Sequence, residues 1–285
     1  MESIVESNRA GGGRTDSERA VASEKLVVSI LDANRPIAPV PHGLAIPLSV
    51  SLTSYAARFG TLPLTLRSLV SQTVLPDRIV LWVSEKDLPE LPEAVYEIGD
   101  PLLEVRVTED IGPFTKIIPS LSYRPDDAIV TADDDTYYWP TWLEELTLEW
   151  SGDPGDIVAH RVHRITLDAE GNPLPYREWL IDDLDSRNPS PLNFATGVGG
   201  VLYPPDSFHA DVMRADIFLE LSGGADDIWL YWMSRLNGSL VRRTASEKQV
   251  VAWVDSQDQA LWMNNVEEGN DRAIRELVAR YGLPS

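Results

Sequence analysis

The sequence predicts an α/β fold: a mainly parallel central sheet flanked by helices, followed by a less regular C-terminal half. Two observations carry this. Short apolar, β-branched runs alternate with segments of helical spacing through the first half, the pattern of strands joined by crossover helices. The chain is also large enough to cover both faces of such a sheet, at 285 residues and 43% hydrophobic composition.

Residues 1–23, rich in Gly, Ser, Arg and Glu and containing Gly11-Gly12-Gly13, read as a flexible tail. Residues 24–285 then read as one domain, with a first half at about 46–140 and a second at about 141–285. From Ile46 to Thr53 small polar and apolar residues alternate, predicting a strand that ends at Thr53-Ser54-Tyr55. Leu62, Leu66, Leu69 and Val70 recur at helical spacing, with Thr61 as an expected cap and Pro63 in the first turn. Arg78 to Val83 is a second strand, which makes a βαβ unit. Leu103 to Val107 alternates as a third strand, and Ala128 to Ala132 reads as a fourth, buried on both faces. A helix is expected over Pro113 to Leu121. Beyond these come a strand-like run from Ile157 to Val162, a proline-punctuated stretch from Asp168 to Leu192, a tight turn at Gly197 to Gly200, and a helix from about Asp226 to Leu236 stopped by Asn237-Gly238.

Composition excludes several classes. Without cysteine there are no disulfides, thiolate zinc sites, iron–sulfur clusters or thiol nucleophiles. Any metal must be held by oxygen or imidazole. A net charge of −21 opposes general affinity for nucleic acid or anionic lipid. No apolar run approaches the roughly 20 residues of a transmembrane helix, and the N-terminus lacks the apolar core of a secretory signal. The expectation is a cytoplasmic protein, with peripheral docking if it meets a membrane-bound partner.

In a parallel sheet, ligands collect at the carboxyl ends of the strands. That rule selects Thr53 to Arg58 and Asp133-Asp134-Asp135. Three consecutive carboxylates repel one another, and a hard divalent cation, Mg²⁺ or Mn²⁺, relieves the repulsion. Such a cation can bridge a diphosphate leaving group. Ala225-Asp226-Asp227-Ile228 opens an apolar helix, where the macrodipole favours acidic residues. Gly197-Val198-Gly199-Gly200 marks a place where the backbone turns tightly and a substrate could approach the main chain.

The order Thr53-Ser54-Tyr55 with Arg58, then Lys116, Asp133-Asp134-Asp135, Gly197-Val198-Gly199-Gly200 and Asp226-Asp227 resembles glycosyltransferases of the GT-A fold, family 2-like group. The resemblance covers about residues 46 to 240. It implies a Rossmann-like GT-A sheet with a nucleotide-sugar half and an acceptor half, and Asp133 to Asp135 stand where that fold carries Asp-x-Asp. Thr53, Ser54, Tyr55 and Arg58 would line the base and ribose pocket, and Lys116 would reach the ribose and phosphates. Asp133 and Asp134 would face the nucleotide sugar. Asp135 and Asp133 would hold Mn²⁺ or Mg²⁺. Asp227, with Asp226 beside it, would be the general base. Gly199, Gly200 and Trp179 are the expected acceptor contacts, Trp179 because aromatic faces stack on sugars.

The implied reaction is inverting transfer from a UDP-sugar to a hydroxyl of a glycan or lipid-linked acceptor. Trp229 and Trp232 are expected in the core. His42, His160, His163 and His209 have no close histidine partner, and His160 and His163, three apart in an expected strand, should point to opposite faces. Many enzymes of this fold complete the metal site with a C-terminal residue; no histidine follows His209, so that part of the pattern is missing or filled by another residue such as Asn264. One rival is a phosphatase or phosphotransferase with Asp133 as nucleophile and Asp135 as acid, although Tyr137 stands where that class has Thr or Val. Another is a carbohydrate-binding protein that keeps the fold without catalysis.

Overall fold

The structure, a computed structural model, describes residues 39–253 and 269–283, together with residues 25, 28 and 29. The expected tail at 1–23 and Asn264 lie outside the described residues. The central sheet has seven strands: β1 (Leu48–Thr53), β2 (Arg78–Ser84), β3 (Leu103–Thr108), β4 (Ala128–Thr131), β5 (Asp156–Ala159), β6 (Val201–Tyr203) and β7 (Leu240–Arg243). Their order is β7-β5-β6-β4-β1-β2-β3. Neighbours run parallel except β6, which is antiparallel to β4 and β5. The reason is topological. The chain leaves β5 at the carboxyl edge, wanders through residues 160–200 and re-enters β6 from that same edge, so the whole excursion lies where ligands bind.

Seven helices accompany the sheet among the described residues: α1 (Leu62–Val70), α2 (Glu93–Gly99), α3 (Ile118–Tyr123), α4 (Trp142–Glu149), α5 (Ala215–Leu221), α6 (Asp226–Leu236) and α7 (Asn270–Tyr281). Leu48, Val50 and Leu52 of β1 pack with Leu62, Leu66 and Leu69 of α1 and with Trp142 and Leu146 of α4 in one core. Ile157, Ala159, Val201 and Tyr203 point the other way, into a second core with Ile228, Trp229 and Trp232 of α6 and Leu277 of α7. Helices therefore cover both faces, each fully buried Leu contributing about 2 kcal/mol. Trp229 and Trp232 are core residues, as expected. No described helix is long and apolar enough to cross a membrane.

The alternation in β1 has a local purpose. Ser49 and Ser51 lie on the face opposite the leucines, where Ser49 Oγ bonds Asp127 and Ser51 Oγ donates to the Lys116 carbonyl at 2.5 Å. Small hydroxyls let the segment carrying Lys116 press against the sheet.

Three local expectations are corrected. Thr61 has helical dihedrals and makes no capping bond; its Oγ1 donates to the Arg58 carbonyl at 3.2 Å. The helix expected over Pro113 to Leu121 is two pieces, a 3₁₀ turn at Gly112–Lys116 and then α3. Pro119 has no N–H to continue the first piece and instead sits in the first turn of the second. The run from Ile157 to Val162 bends between β5 and a short strand at Val162–Arg164, because His160 N–H turns to the Gly200 carbonyl while Arg161 C=O accepts from Thr196. His160 thus follows the end of β5 and His163 lies in the middle of the short strand Val162–Arg164, rather than both lying on one strand.

Candidate functional site

Parallel pairing of β1 with β4 sets Ser51 beside Thr131, so the two strands deliver Thr53-Ser54 and Asp133-Asp134-Asp135 to the same edge. A 3₁₀ turn at Ala56–Arg58 then brings Arg58 back over the aspartates. Each carboxylate meets a different partner. Asp133 Oδ1 accepts from Lys116 Nζ at 2.9 Å, Asp134 Oδ2 accepts from Ser54 Oγ at 2.5 Å, and Asp135 Oδ2 pairs with the Arg58 guanidinium. The loop is held from behind by Tyr138, whose buried hydroxyl accepts the Asp133 N–H at 2.7 Å, and by Thr65 Oγ1, 2.8 Å from the Asp134 carbonyl. Burial raises the Asp134 carboxyl to about 7; the Ser54 hydrogen bond and Arg58 oppose this, and Asp135 and Asp133 add to it.

The second acidic group arrives from the other half. Asp226 and Asp227 open α6, and Asp226 Oδ2 lies 3.0 Å from Lys116 Nζ, an ion pair off the angle of a hydrogen bond. Asp227 Oδ1 accepts the Gly197 N–H at 3.0 Å. One buried ammonium therefore joins Asp133 to Asp226, with Asp227 close enough to act on it. Burial works against the Lys116 charge, but these three carboxylates outweigh it and hold its pKa well above the ordinary value. Burial, then Asp226, raises Asp227 to about 7, with Lys116 opposing.

Of the other expected residues, Thr53 is near the cluster but satisfied, its Oγ1 donating to the Trp82 carbonyl at 3.0 Å. Tyr55 is 40% exposed, which leaves its ring available, with the Arg58 guanidinium carbon 6.0 Å from its centroid. Gly199 and Gly200 do not face the cluster. A Cβ on Gly199 would meet Arg161 at 2.8 Å, and one on Gly200, at φ +93°, would meet the Trp142 indole at 2.5 Å. They are glycines because the turn packs against protein.

Gly197 is the glycine that faces the acids: a Cβ there would stand 2.9 Å from Lys116 Nζ and 3.1 Å from Asp227 Oδ1. Trp179 is buried, its Nε1 bonded to the Leu174 carbonyl and its ring packed against Tyr176 and Phe194. It is a wall residue rather than an open platform. Neither His160 nor His163 is a metal ligand here. His160 spans Thr244 Oγ1 and the Trp142 carbonyl, burial lowering it to about 4, and His163 Nδ1 accepts from Asp182 N–H, burial lowering it to about 3.

No three acidic or imidazole groups among the described residues form a ready-made cation cage. A small hard cation held by one or two carboxylates and completed by phosphate oxygens needs none. The charge balance suits such an ion, since among the described residues the cations at close range to Asp133, Asp134, Asp135, Asp226 and Asp227 are Lys116 and Arg58, and Asp226 Oδ2 is buried without a hydrogen bond. Asp133 and Asp135 fit the role. Asp133 is the more open, its side chain 26% exposed against 12% for Asp135.

Reading from sequence passed over Gly197 as a separate site residue and missed Tyr138 and Thr65, which hold the aspartate loop. Gly197 could have been found as the first glycine after a strand-like run. The others carry no local signal, because what defines them is a partner distant in the chain.

No family model matches the sequence, and no curated protein matches it. Among solved structures, the mannosyltransferase PcManGT from Pyrobaculum calidifontis, in complex with GDP-Man and Mn²⁺, is similar at TM-score 0.54 and 14% identity over 91% of this chain and 72% of that one. GalNAc-T7 with UDP, GalNAc and Mn²⁺ matches at TM-score 0.43 and 16% identity, over 70% of this chain and 42% of that one. The inositol-1-phosphate CTP transferase from T. maritima matches at TM-score 0.43 and 13% identity, over 82% and 97%. The last two are too loosely superposed to argue from. What the first establishes is the fold: this chain shares the GT-A-like α/β architecture of the mannosyltransferase.

Proposed function

We propose that this protein is a metal-assisted glycosyltransferase that moves a sugar from a nucleotide diphosphate sugar, with UDP as the expected nucleotide, to a hydroxyl of a glycan or lipid-linked acceptor. The observation that carries the reading is Lys116, whose ammonium joins Asp133 from the sheet edge to Asp226 from α6. A donor-side and an acceptor-side carboxylate group meet at one cation, the arrangement a transfer between two substrates needs.

In this reading Tyr55 offers its exposed ring to the base, with Thr53 and Ser54 lining the ribose side. Arg58 and Lys116 face the diphosphate, Arg58 as a planar fork and Lys116 as a point charge. Asp133 and Asp135 would hold Mn²⁺ or Mg²⁺, which when bound neutralises charge on the departing diphosphate. Asp227 accepts the proton of the attacking hydroxyl; a carboxyl raised to about 7 is a better proton acceptor near neutral pH than an ordinary aspartate. Attack by a hydroxyl so activated, from the face opposite the diphosphate, inverts the anomeric carbon. Gly197 keeps the space between Lys116 and Asp227 open.

Calorimetric titration with UDP, GDP and their sugars, with and without Mn²⁺, tests the reading. Metal-dependent binding of one nucleotide family is the expected result. Folded protein that binds none of them, or that hydrolyses a phosphate monoester through Asp133, would replace it with the phosphatase or the non-catalytic alternative.

A further inference from the structure

The acceptor-side wall holds a cation without a carboxylate. In a chain with 45 acidic and 24 basic residues, partly buried bases are expected to find carboxylates, and Arg78, Arg242, Arg243 and Lys248 each do. Arg161 does not. It lies at the bend after β5, and its Nη1 donates to Thr196 Oγ1 at 3.0 Å; no carboxylate among the described residues is in ion-pair range of it. Its position is set by Gly199, since a side chain there would collide with the Arg161 Cβ and backbone N–H.

Arg161 bonds Thr196 while Asp227 bonds Gly197, consecutive residues whose Cα atoms are about 3.8 Å apart. The two side chains therefore flank one turn, at the scale of a single sugar ring. A guanidinium without a carboxylate partner among the described residues is a receptor for an anion.

We propose that Arg161 recognises an anionic group, a carboxylate or phosphate, that the acceptor sugar carries beside the hydroxyl delivered to Asp227. This names the acceptor class and rests on the glycosyltransferase reading. It also explains why the wall keeps a fixed positive charge in an acidic protein: the anion must be drawn past Asp226 and Asp227, and only a preformed cation would hold it there.

The test is saturation-transfer NMR titration with D-glucuronate, glucose 6-phosphate and neutral glucose, in the presence of UDP and Mn²⁺ to fill the donor side. The proteins compared are the wild type, Arg161→Gln and Arg161→Lys. At least one anionic sugar should bind about 10-fold more tightly than glucose. Arg161→Gln should erase that preference, Arg161→Lys should restore part of it, and UDP affinity should stay at the wild-type value, which also reports that the variant is folded. The anion that wins identifies carboxylate or phosphate. Equal affinity for charged and neutral sugars, no binding of either anion, or a preference that survives Arg161→Gln overturns the proposal. Failure of UDP to bind, with an Arg161-dependent anion preference intact, would remove the donor reading and leave this site standing.

Discussion

The two acidic groups at the sheet edge differ in how their charge is met. Asp133, Asp134 and Asp135 each have a close side-chain partner, in Lys116, Ser54 and Arg58, although Lys116 is shared with Asp226 and Arg58 also lies 3.7 Å from Asp134. Asp226 and Asp227 have Lys116 to share with Asp133 and a single backbone N–H. Charges met by side-chain donors form a fixed array suited to positioning a ligand, whereas a carboxylate crowded by a second one beside it is suited to moving a proton. Burial raises Asp134 to about 7 as well, so proton affinity alone does not separate the groups; the proposed reading gives binding to the first and chemistry to the second, and four experiments set the two apart.

The largest effect is expected at Asp227. Asp227→Asn keeps the size and the hydrogen bond from Gly197 but removes the proton acceptor, so turnover should fall by about 10²–10⁴-fold while donor affinity in calorimetry is unchanged. A fall in donor affinity of the same size would place Asp227 with the binding group and dissolve the contrast.

Next is Asp135→Ala, together with chelation of divalent metal. Both should cost about 10²–10³-fold in turnover, and unlike Asp227→Asn both should weaken nucleotide binding. The signature to look for is non-additivity: chelation should do little more to Asp135→Ala, since residues acting through one group do not sum. Full metal-dependent turnover in Asp135→Ala would sink the assignment.

Gly197→Ala probes the place where the groups meet. The added methyl would fall 2.9 Å from Lys116 Nζ and 3.1 Å from Asp227 Oδ1, so one of them must move, and a displacement near 1 Å costs about 10²-fold or less. Lys116 can give way more readily than the backbone could, so thermal stability should change little. Loss of stability with normal turnover would mean that Gly197 serves the turn alone.

These contrasts were unevenly legible in the sequence. The strand ends, the aspartate run, Lys116 and the start of α6 were all readable, because periodicity marks β1, β4 and α6 and because carboxylates clustered at a strand end have few structural uses. Gly199, Gly200 and Trp179, expected as acceptor contacts, pack against protein in the fold. Glycine and tryptophan report that something comes close, but Arg161, Trp142, Tyr176 and Phe194 are brought there by tertiary packing that no local pattern encodes. Arg161 shows the same limit from the other side, since its lack of a carboxylate partner among the described residues is a tertiary property that no local pattern carries.

The finest test separates Asp226 from Asp227 by pH. Asp227 in the fold is raised to about 7 from a reference of 3.8, so the folded state holds a proton that the unfolded chain releases between those values. Stability should therefore decline as pH rises from about 4 to about 7 and level off above, with Asp134 contributing in the same sense, and Asp227→Asn should make this part of the thermal-unfolding profile shallower. Activity runs the opposite way, because the base must be ionised: kcat/KM should fall tenfold per unit below about 7. Asp226 is the largest charge raising Asp227. Asp226→Asn should thus move the acid limb to lower pH and leave the variant a few-fold faster than wild type, relative to its own plateau, near pH 6. Lys116 retains Asp133 in that variant, so donor affinity should hold. An acid limb that stays in place would mean that burial alone sets the Asp227 proton affinity, and that Asp226 serves only to anchor Lys116.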